Sequence, residues 1–572
     1  MSQEVVKNDK KLEENKKEYP FPYVISNMQD WPIYKFSQDR EGFVKQVYEF
    51  TAERLLKSME KDSLSEALAK ILYLERIRII QDPWRVDPPD EMDFWSDIKQ
   101  KLLKGSLDQD ESEVFEHNKE LLERIVQRYA QEIVGSFKIP TYKLARKVLP
   151  MLFNTILNAV TLFRKRGKLQ EKLKIVGATD HVRSLIKKGT IVLVPTHFSN
   201  LDSILIGWAA DRIGLTALSY GAGINLYNNR ILEYYFTRLG AYGVDRRKKN
   251  GFYLETLKAF SQLAIEKGVH SLFFPGGTRS RSGQLETKLK MGLLGTAVDA
   301  QNAVYQRGED NKVYIVPVVL NYHFVLEAKS LIDQYLKHTG KELYLVEKKA
   351  FGGAWNFFKF LWQFFSASSE IVVNFGQPMD VLGNFVDEEG VSLDQFGKPV
   401  NTKDYFVSGG ELKYDTQRNS QYTKKLADKI VKRYHVENIV LSSHLITFTA
   451  LKIFQKQYPS LDLYGLLRLP KDDKVILKNT FDQNIEKLRE QLRKMEAAGE
   501  IQLSEEVRDA PLDELIKDGI HNCSVIHVKK PLKIDKEGDI TTQDMNLLYY
   551  YHNRLLGYNL GQYIDVRAIK KK

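Results

Sequence analysis

Apolar positions recur at helical spacing through the first third of the chain. Leu64, Leu68, Ile71 and Leu72 follow Ser63-Leu64-Ser65-Glu66, a capping-box pattern in which serine and glutamate satisfy free backbone N–H groups at a helix start. Pro83, Pro88 and Pro89 break that pattern, and a second helical stretch runs through Leu121, Leu122, Ile125 and Val126. Residues 148–163 read as an apolar helix closed by Arg164-Lys165-Arg166. Residues 21–175 are therefore expected to be a helical region. It follows a charged tail, residues 1–20, whose composition predicts disorder.

Between residues 176 and 380 the period changes. Short runs rich in β-branched residues appear at 190–194, 271–274, 313–320 and 371–375. Helical patterns lie between them, such as 252–267, closed by Gly268. Alternating strands and helices predict an α/β domain whose mainly parallel or mixed sheet is flanked by helices. A loop from 380 to about 415, rich in Gly, Asp and Asn, leads into a last region, 381–572, that reads mostly helical. There Ile485, Leu488, Leu492 and Met495 share one face that Gly499 ends, and Leu547-Leu548-Tyr549-Tyr550-Tyr551 forms a dense apolar element. No internal repeat or low-complexity tract is present.

A chain of 572 residues is too long for one core, so two to four domains are expected. The formal net charge is +11 and the pI about 9.1. A basic surface attracts phosphates of any kind, whether nucleic acid, anionic lipid or phosphorylated metabolite. The single cysteine, Cys523, excludes an internal disulfide and a Cys-rich zinc site, and fits a reducing cytosolic compartment. The charged start of the chain has no apolar core and does not read as a signal peptide. A spanning helix needs about 20 mostly apolar residues. The nearest stretches, 148–163 and 355–365, are too short or too polar, so a membrane would be met from its surface.

In α/β sheets ligands gather at the carboxyl ends of strands. After the run 190–194 comes Pro195-Thr196-His197-Phe198-Ser199-Asn200-Leu201-Asp202. If this loop turns into a helix, the Asp202 carboxylate can fold back on the His197 imidazole and fix its tautomer, leaving the other ring nitrogen to take a proton from a substrate hydroxyl. After 271–274 comes Pro275-Gly276-Gly277-Thr278-Arg279-Ser280-Arg281-Ser282-Gly283. Its glycines expose backbone N–H groups, its arginines offer forked donors and its hydroxyls add more: an anion cradle. The Gly-Lys-Ser/Thr ending of a Walker loop is missing. Between the two lies Gly240-Ala241-Tyr242-Gly243-Val244-Asp245-Arg246-Arg247-Lys248-Lys249, which in isolation reads as a solvated charge run. Further on, Val316-Pro317-Val318 puts a proline in a strand, which suggests an edge or a bulge shaping a pocket wall.

The order of these four blocks, over about residues 190–322, resembles the glycerolipid acyltransferase superfamily. The best likeness is to the branch holding glycerol-3-phosphate and dihydroxyacetone-phosphate acyltransferases. Gly240, Ala241, Arg246 and Arg247 fit its second block, and Arg279-Ser280-Arg281-Ser282-Gly283 fits the doubled ending of its third. Acyltransferases acting on lysophosphatidic acid usually stop at one Arg-Ser. Residues 547–555, Leu-Leu-Tyr-Tyr-Tyr-His-Asn-Arg-Leu, also look like the tail of this branch. Two positions depart from it: Phe198 stands where the first block usually has Arg, and Gly276 where the third usually has Glu.

The resemblance implies an enzyme that moves a fatty acyl group from an acyl thioester, acyl-CoA or acyl carrier protein, to the hydroxyl of glycerol 3-phosphate, the first step of phospholipid synthesis. It implies His197 as base and Asp202 as its orienting partner. Arg246, Arg247, Arg279 and Arg281 would hold the acceptor phosphate, with Gly277, Thr278 and Ser280 shaping the cradle and Pro317 in the pocket wall. No metal or cofactor is called for. Dihydroxyacetone phosphate or lysophosphatidic acid is the alternative acceptor, and a non-catalytic lipid-binding scaffold on the same fold is the alternative of another class. Nucleic acid is not an expected partner, since neither a zinc finger, an RNA-binding sheet pattern nor a basic helix is found. The aromatic stretch with Trp355, Phe358 and Trp362 suits an interfacial helix on an anionic membrane, or else a helix buried between domains. The expected location is peripheral, on the cytoplasmic face of a membrane.

Overall fold

Among the described residues of the computed structural model, six helices precede the sheet: α1 (Pro32–Gln38), α2 (Arg40–Ser58), α3 (Ser63–Gln81), α4 (Glu91–Gly105), α5 (Glu111–Ile133) and α6 (Ile139–Val160). The structure describes residues 20–60, 63–105, 110–160, 173–224, 227, 230–339 and 370–566. The aromatic stretch 355–365, with Trp355, Phe358 and Trp362, lies outside the described residues, as does the tail 1–19. The proline-rich break falls between α3 and α4, as a residue type without an N–H requires. Ser63 does not form the expected capping box: it is already the first helical residue, and its hydroxyl donates to the Glu60 carbonyl at 2.7 Å.

Seven strands follow: β1 (Leu173–Gly177), β2 (Gly189–Pro195), β3 (Ser219–Gly223), β4 (Ala241–Val244), β5 (Ser271–Leu272), β6 (Lys312–Tyr322) and β7 (Ile371–Phe375). They stand in the order β1-β7-β6-β2-β5-β3-β4. The central pairs of β2 with β5 and β6 are parallel, as are those of β3 with β4 and β5. β7 runs antiparallel to β6 and carries β1 parallel beside it, so the sheet is mixed. β2 and β6 are buried along nearly their whole length, which is why each reads as an unbroken apolar run rather than an alternation. The run 271–274 yields only the two residues of β5. β1 begins at Leu173, just inside the stretch read as helical, and pairs with β7.

Pro317 does not mark an edge. It sits in β6, opposite Val194 of β2, with β7 on the other side. The sheet tolerates it because of what lies beside it. Ile315 exchanges both backbone hydrogen bonds with Met379, and the ladder to β7 begins at Val318. Pro317 falls between the two, where only its carbonyl is used, accepting from the Gly376 N–H at 2.8 Å.

Helices α7 (Thr179–Leu185), α8 (Asp202–Arg212), α9 (Arg230–Phe236), α10 (Gly251–Glu266), α11 (Met291–Gln306) and α12 (Ala328–Thr339) connect the strands. Leu64, Leu68 and Ile71 of α3 and Leu121, Leu122, Ile125 and Val126 of α5 share a core with Phe252, Tyr253 and Phe260 of α10. Each such side chain contributes roughly 1.5–3 kcal/mol when fully buried, so the helical region is fastened to the sheet domain through α10. The last region holds α13 (Thr416–Val436), α14 (Ser442–Gln457), α15 (Lys478–Ala497), α16 (Leu512–Ser524) and α17 (Met545–His552). Its apolar residues are continuous with the core of the sheet domain. Tyr434 of α13 donates its hydroxyl to the Val194 carbonyl at 2.9 Å, and Arg554, just beyond α17, donates to the Leu320 carbonyl at 2.7 Å. The C-terminal region thus closes on the carboxyl ends of β2 and β6, where the motifs lie.

Candidate active site

β2 ends at Pro195, α8 begins at Asp202, and the first motif is the loop between them. The Asp202 carboxylate, fully buried, gathers four donors. Its Oδ2 accepts from His197 Nδ1 at 2.7 Å and from the backbone N–H groups of Phe198 and Ser199 at 2.6 and 2.9 Å. Its Oδ1 accepts the Tyr322 hydroxyl at 2.5 Å. One carboxylate therefore caps the loop and fixes the imidazole. With Nδ1 taken, Nε2 is the nitrogen turned to a substrate hydroxyl. The His197 ring stacks on Phe274, centroids 4.0 Å apart, and its side chain keeps 14% of its surface exposed. A base needs this combination of fixed geometry and access.

The chain after β5 meets the His197 loop directly. The Ser280 N–H donates to the His197 carbonyl at 2.7 Å, and the His197 N–H donates to Glu286 Oε1 at 2.9 Å. Gly277 has φ +76, the left-handed region that favours glycine, and a side chain there would run into Lys290. Gly283, at φ +84, lies against the Tyr550 carbonyl of α17. Ser280 spends its hydroxyl inside the turn, donating to the Gln284 carbonyl at 2.8 Å and accepting from the Gly283 N–H at 3.1 Å. Thr278 is exposed and Arg281 partly exposed on the same turn.

Arg279 reaches Glu327 at 3.1 Å. Glu327 also accepts the Asn200 N–H at 2.9 Å and the Ser199 hydroxyl at 3.1 Å, so this one carboxyl ties the third motif to the loop of the first. Burial raises the pKa of Glu327, against the pull of Arg279 and the Asn200 amide.

The cationic run after β4 divides. Arg246 and Lys249 are exposed. Arg247 is instead taken up by carboxylates: it pairs with Asp87 ahead of α4 and with Asp245 at 2.8 Å, and lies 4.1 Å over the Trp84 ring. Lys248 is buried against Glu132 of α5. The structure thus places Arg247 in the seam with the N-terminal helices, while Arg279 stands beside the His197 loop. Pro317 lies within the sheet, three residues below His197 in register through Val194.

Five residues around the first and third motifs were not singled out from sequence: Tyr322, Glu286, Glu327, Lys290 and Arg554. The last was inside a quoted motif, the tail 547–555, and carried a signal. Arg554 stacks 4.3 Å over the ring of Phe198 and donates to Asn321 at 2.8 Å and Asn438 at 2.9 Å.

Residues 175–321 match the family model Acyltransferase. The chain carries an acyltransferase domain. It is 28% identical over 270 residues to a glycerol-3-phosphate acyltransferase of Pseudoalteromonas atlantica, a stretch covering 46% of this chain and 29% of the relative. It is 27% identical over 271 residues to the enzyme of that name from Pseudomonas aeruginosa, covering 47% and 29%. A glycerol-3-phosphate acyltransferase of Aeromonas hydrophila matches at 30% over 262 residues, covering 46% and 29%. The match spans less than a third of these relatives' own length. The family model and the matched relatives all carry the name acyltransferase. Both motif ends of the domain, the His197–Asp202 loop and the Arg279 turn, fall inside the matched segment.

Proposed function

We propose that this protein transfers a fatty acyl group from an acyl thioester to the hydroxyl of glycerol 3-phosphate. The observation that carries the reading is the His197–Asp202 pair, fixed at 2.7 Å next to the arginine-bearing turn of the third motif. The acceptor hydroxyl gives its proton to His197 Nε2 while its oxygen attacks the thioester carbonyl. The C–S bond then breaks, and the leaving sulfur takes the proton from the imidazolium. The acceptor's own oxygen is the nucleophile, so the site needs no reactive serine or cysteine. Arg279 and Arg281 of the third motif, with Lys290 against Gly277 of the same turn and Arg246 from the second motif, supply cations for the acceptor phosphate. Acyl-CoA and acyl carrier protein present the same thioester, and either serves as donor. The names of the matched relatives support the acceptor.

The same reading puts the protein peripherally on a membrane, on its cytoplasmic face, because the product is a lipid. The net charge of +11 supports attraction to an anionic surface. So does α6, where Leu144, Val148 and Met151 are exposed at helical spacing beside Lys143 and Lys147. No helix among the described residues is long and apolar enough to cross a membrane.

The test is an assay of purified protein with one labelled acyl thioester and a panel of acceptors. Glycerol 3-phosphate is expected to be acylated fastest and glycerol hardly at all. Faster acylation of dihydroxyacetone phosphate or lysophosphatidic acid replaces the acceptor. Lipid binding without any transfer leaves the scaffold reading.

A further inference from the structure

Gly276 stands where the third motif of this family usually carries glutamate. Its backbone is not in the left-handed region, so conformation does not demand a glycine. Space does. A Cβ at Gly276 would lie 3.1 Å from Cγ and 3.3 Å from Oε1 of Glu286. Glu286 thus brings a carboxyl from ten residues further along the chain into the volume that a side chain at 276 would enter.

That carboxyl does specific work. Oε1 accepts the His197 N–H at 2.9 Å, so it holds the backbone from which the imidazole springs. Oε2 is closed off from solvent and has no hydrogen-bond partner among the described residues. Glu286 as a whole is only half-buried; the carboxyl end is the part withdrawn from water. The cation acting on it is Arg554, which lies over Phe198, the other position where this chain departs from the family. Each departure therefore has beside it, from elsewhere in the chain, the chemical group that the motif lacks.

We infer that Glu286 is a positioning residue for His197, supplying from the turn before α11 the carboxyl that the third motif lacks at Gly276. The kinetic part of this inference rests on the proposed acyl transfer; the shared place of the two side chains does not.

The test exchanges the two positions in the full chain: Gly276→Glu, Glu286→Gly, and both together, with Glu286→Gln as the shape-preserving control. Three measurements are made. In thermal denaturation, Gly276→Glu alone should lower the melting temperature, and in the Glu286→Gly background it should restore it. Equal cost in both backgrounds overturns the shared place. In the acyl-transfer assay, Glu286→Gly should cut kcat by about 10²-fold, the scale of a misplaced catalytic group, with acceptor KM within about threefold. The double variant should regain at least about tenfold of that loss, and Glu286→Gln should keep most of the rate because its amide oxygen still accepts the His197 N–H. A normal kcat for Glu286→Gly, or no rescue by the double variant, overturns the positioning role. The third measurement is the rate at which diethyl pyrocarbonate modifies His197, read by mass spectrometry. It should shift in Glu286→Gly and return in the double variant. An unmoved rate overturns the inference even if the parent proves to transfer no acyl group, an outcome that would sink the proposed function alone.

Discussion

Tyr322 donates its hydroxyl to Asp202 at 2.5 Å, joining the last residue of β6 to the first of α8 across 120 positions of chain. Burial and the neighbouring carboxylate raise the tyrosine pKa far above its ordinary value, so it remains a donor throughout the working range. The orienting aspartate is thereby anchored to the sheet itself. Tyr322→Phe removes one donor from a buried carboxylate and leaves the cavity shape intact. Hydrogen bonds to charged groups contribute about 1.5–3 kcal/mol, and the variant should lose stability on that scale. Thermal denaturation checks the loss. Turnover should fall by about tenfold, as Asp202 gains freedom to leave the imidazole.

Removing the base itself is more severe. His197→Ala should cut turnover by roughly 10² to 10⁴-fold, the usual contribution of general-base catalysis, with folding little changed. Asp202→Asn should also be severe, because an amide can hold the wrong imidazole tautomer. A folded His197→Ala protein with near-normal turnover rules out His197 as the general base.

Arg279 and Arg247 should separate by phenotype, although both belong to arginine-bearing motifs. Arg279 is a quarter exposed, pairs with Glu327 and stands at the His197 loop. Arg279→Ala should raise the acceptor KM far more than the donor KM. Arg247 pairs with Asp87 and Asp245 in the seam under the N-terminal helices. Removing one partner of a buried ion pair costs about 3–5 kcal/mol, because the stranded carboxylates stay buried. Arg247→Ala should therefore lower the melting temperature and leave the acceptor KM close to the parent value. Steady-state kinetics alongside calorimetry on both variants reads the difference.

Liposome flotation tests the membrane placement. Binding should rise with anionic lipid content and weaken in high salt without vanishing, because lysines add on the order of 1 kcal/mol each near an anionic surface and an apolar part is not screened. The variant Leu144→Glu, Val148→Glu, Met151→Glu should float poorly if α6 lies on the surface. A folded variant that floats like the parent moves the contact elsewhere, with Trp355, Phe358 and Trp362 the next set to replace.

The sheet was legible where it is buried on both faces. β2, β6 and β7 are continuous apolar runs, and their strand ends point to the loops that follow. β3 and β4, Ser-Tyr-Gly-Ala-Gly and Ala-Tyr-Gly-Val, carry the residues least favoured in strands and are held by their neighbours instead. His197 and Asp202 could be paired from spacing because a loop–helix turn brings residues five apart together. Arg247's partner across the seam could not: Asp87 is 160 positions away. The run of four cations conceals that its members split between solvent and seam. Glu286, Glu327 and Tyr322 gave no local signal, since each matters only through what the fold sets beside it.

Glu286 also gives a pH dependence with a definite sign. Burial raises its pKa from an ordinary 4.5 to about 7, opposed by the His197 amide and Arg554 and assisted by Asp202. Between those values the folded protein holds a proton on this carboxyl that the unfolded chain has lost. Stability from this group is therefore fully present below pH 4.5, falls as pH rises to about 7, and is level above. One pKa unit corresponds to about 1.4 kcal/mol, so the total change is on the order of 3 kcal/mol. Buried histidines held down to about 4, among them His270, His323 and His527, work in the opposite sense at acid pH. Comparing the parent with Glu286→Gln at each pH cancels their part. Near pH 5 the two proteins should be about equally stable. By pH 8 the glutamine variant should be the more stable, because the parent then carries a buried negative charge. Denaturation midpoints of both proteins across pH 5 to 8 measure the difference. A difference that stays constant over that range shows the carboxyl ionised throughout, with Arg554 carrying its charge.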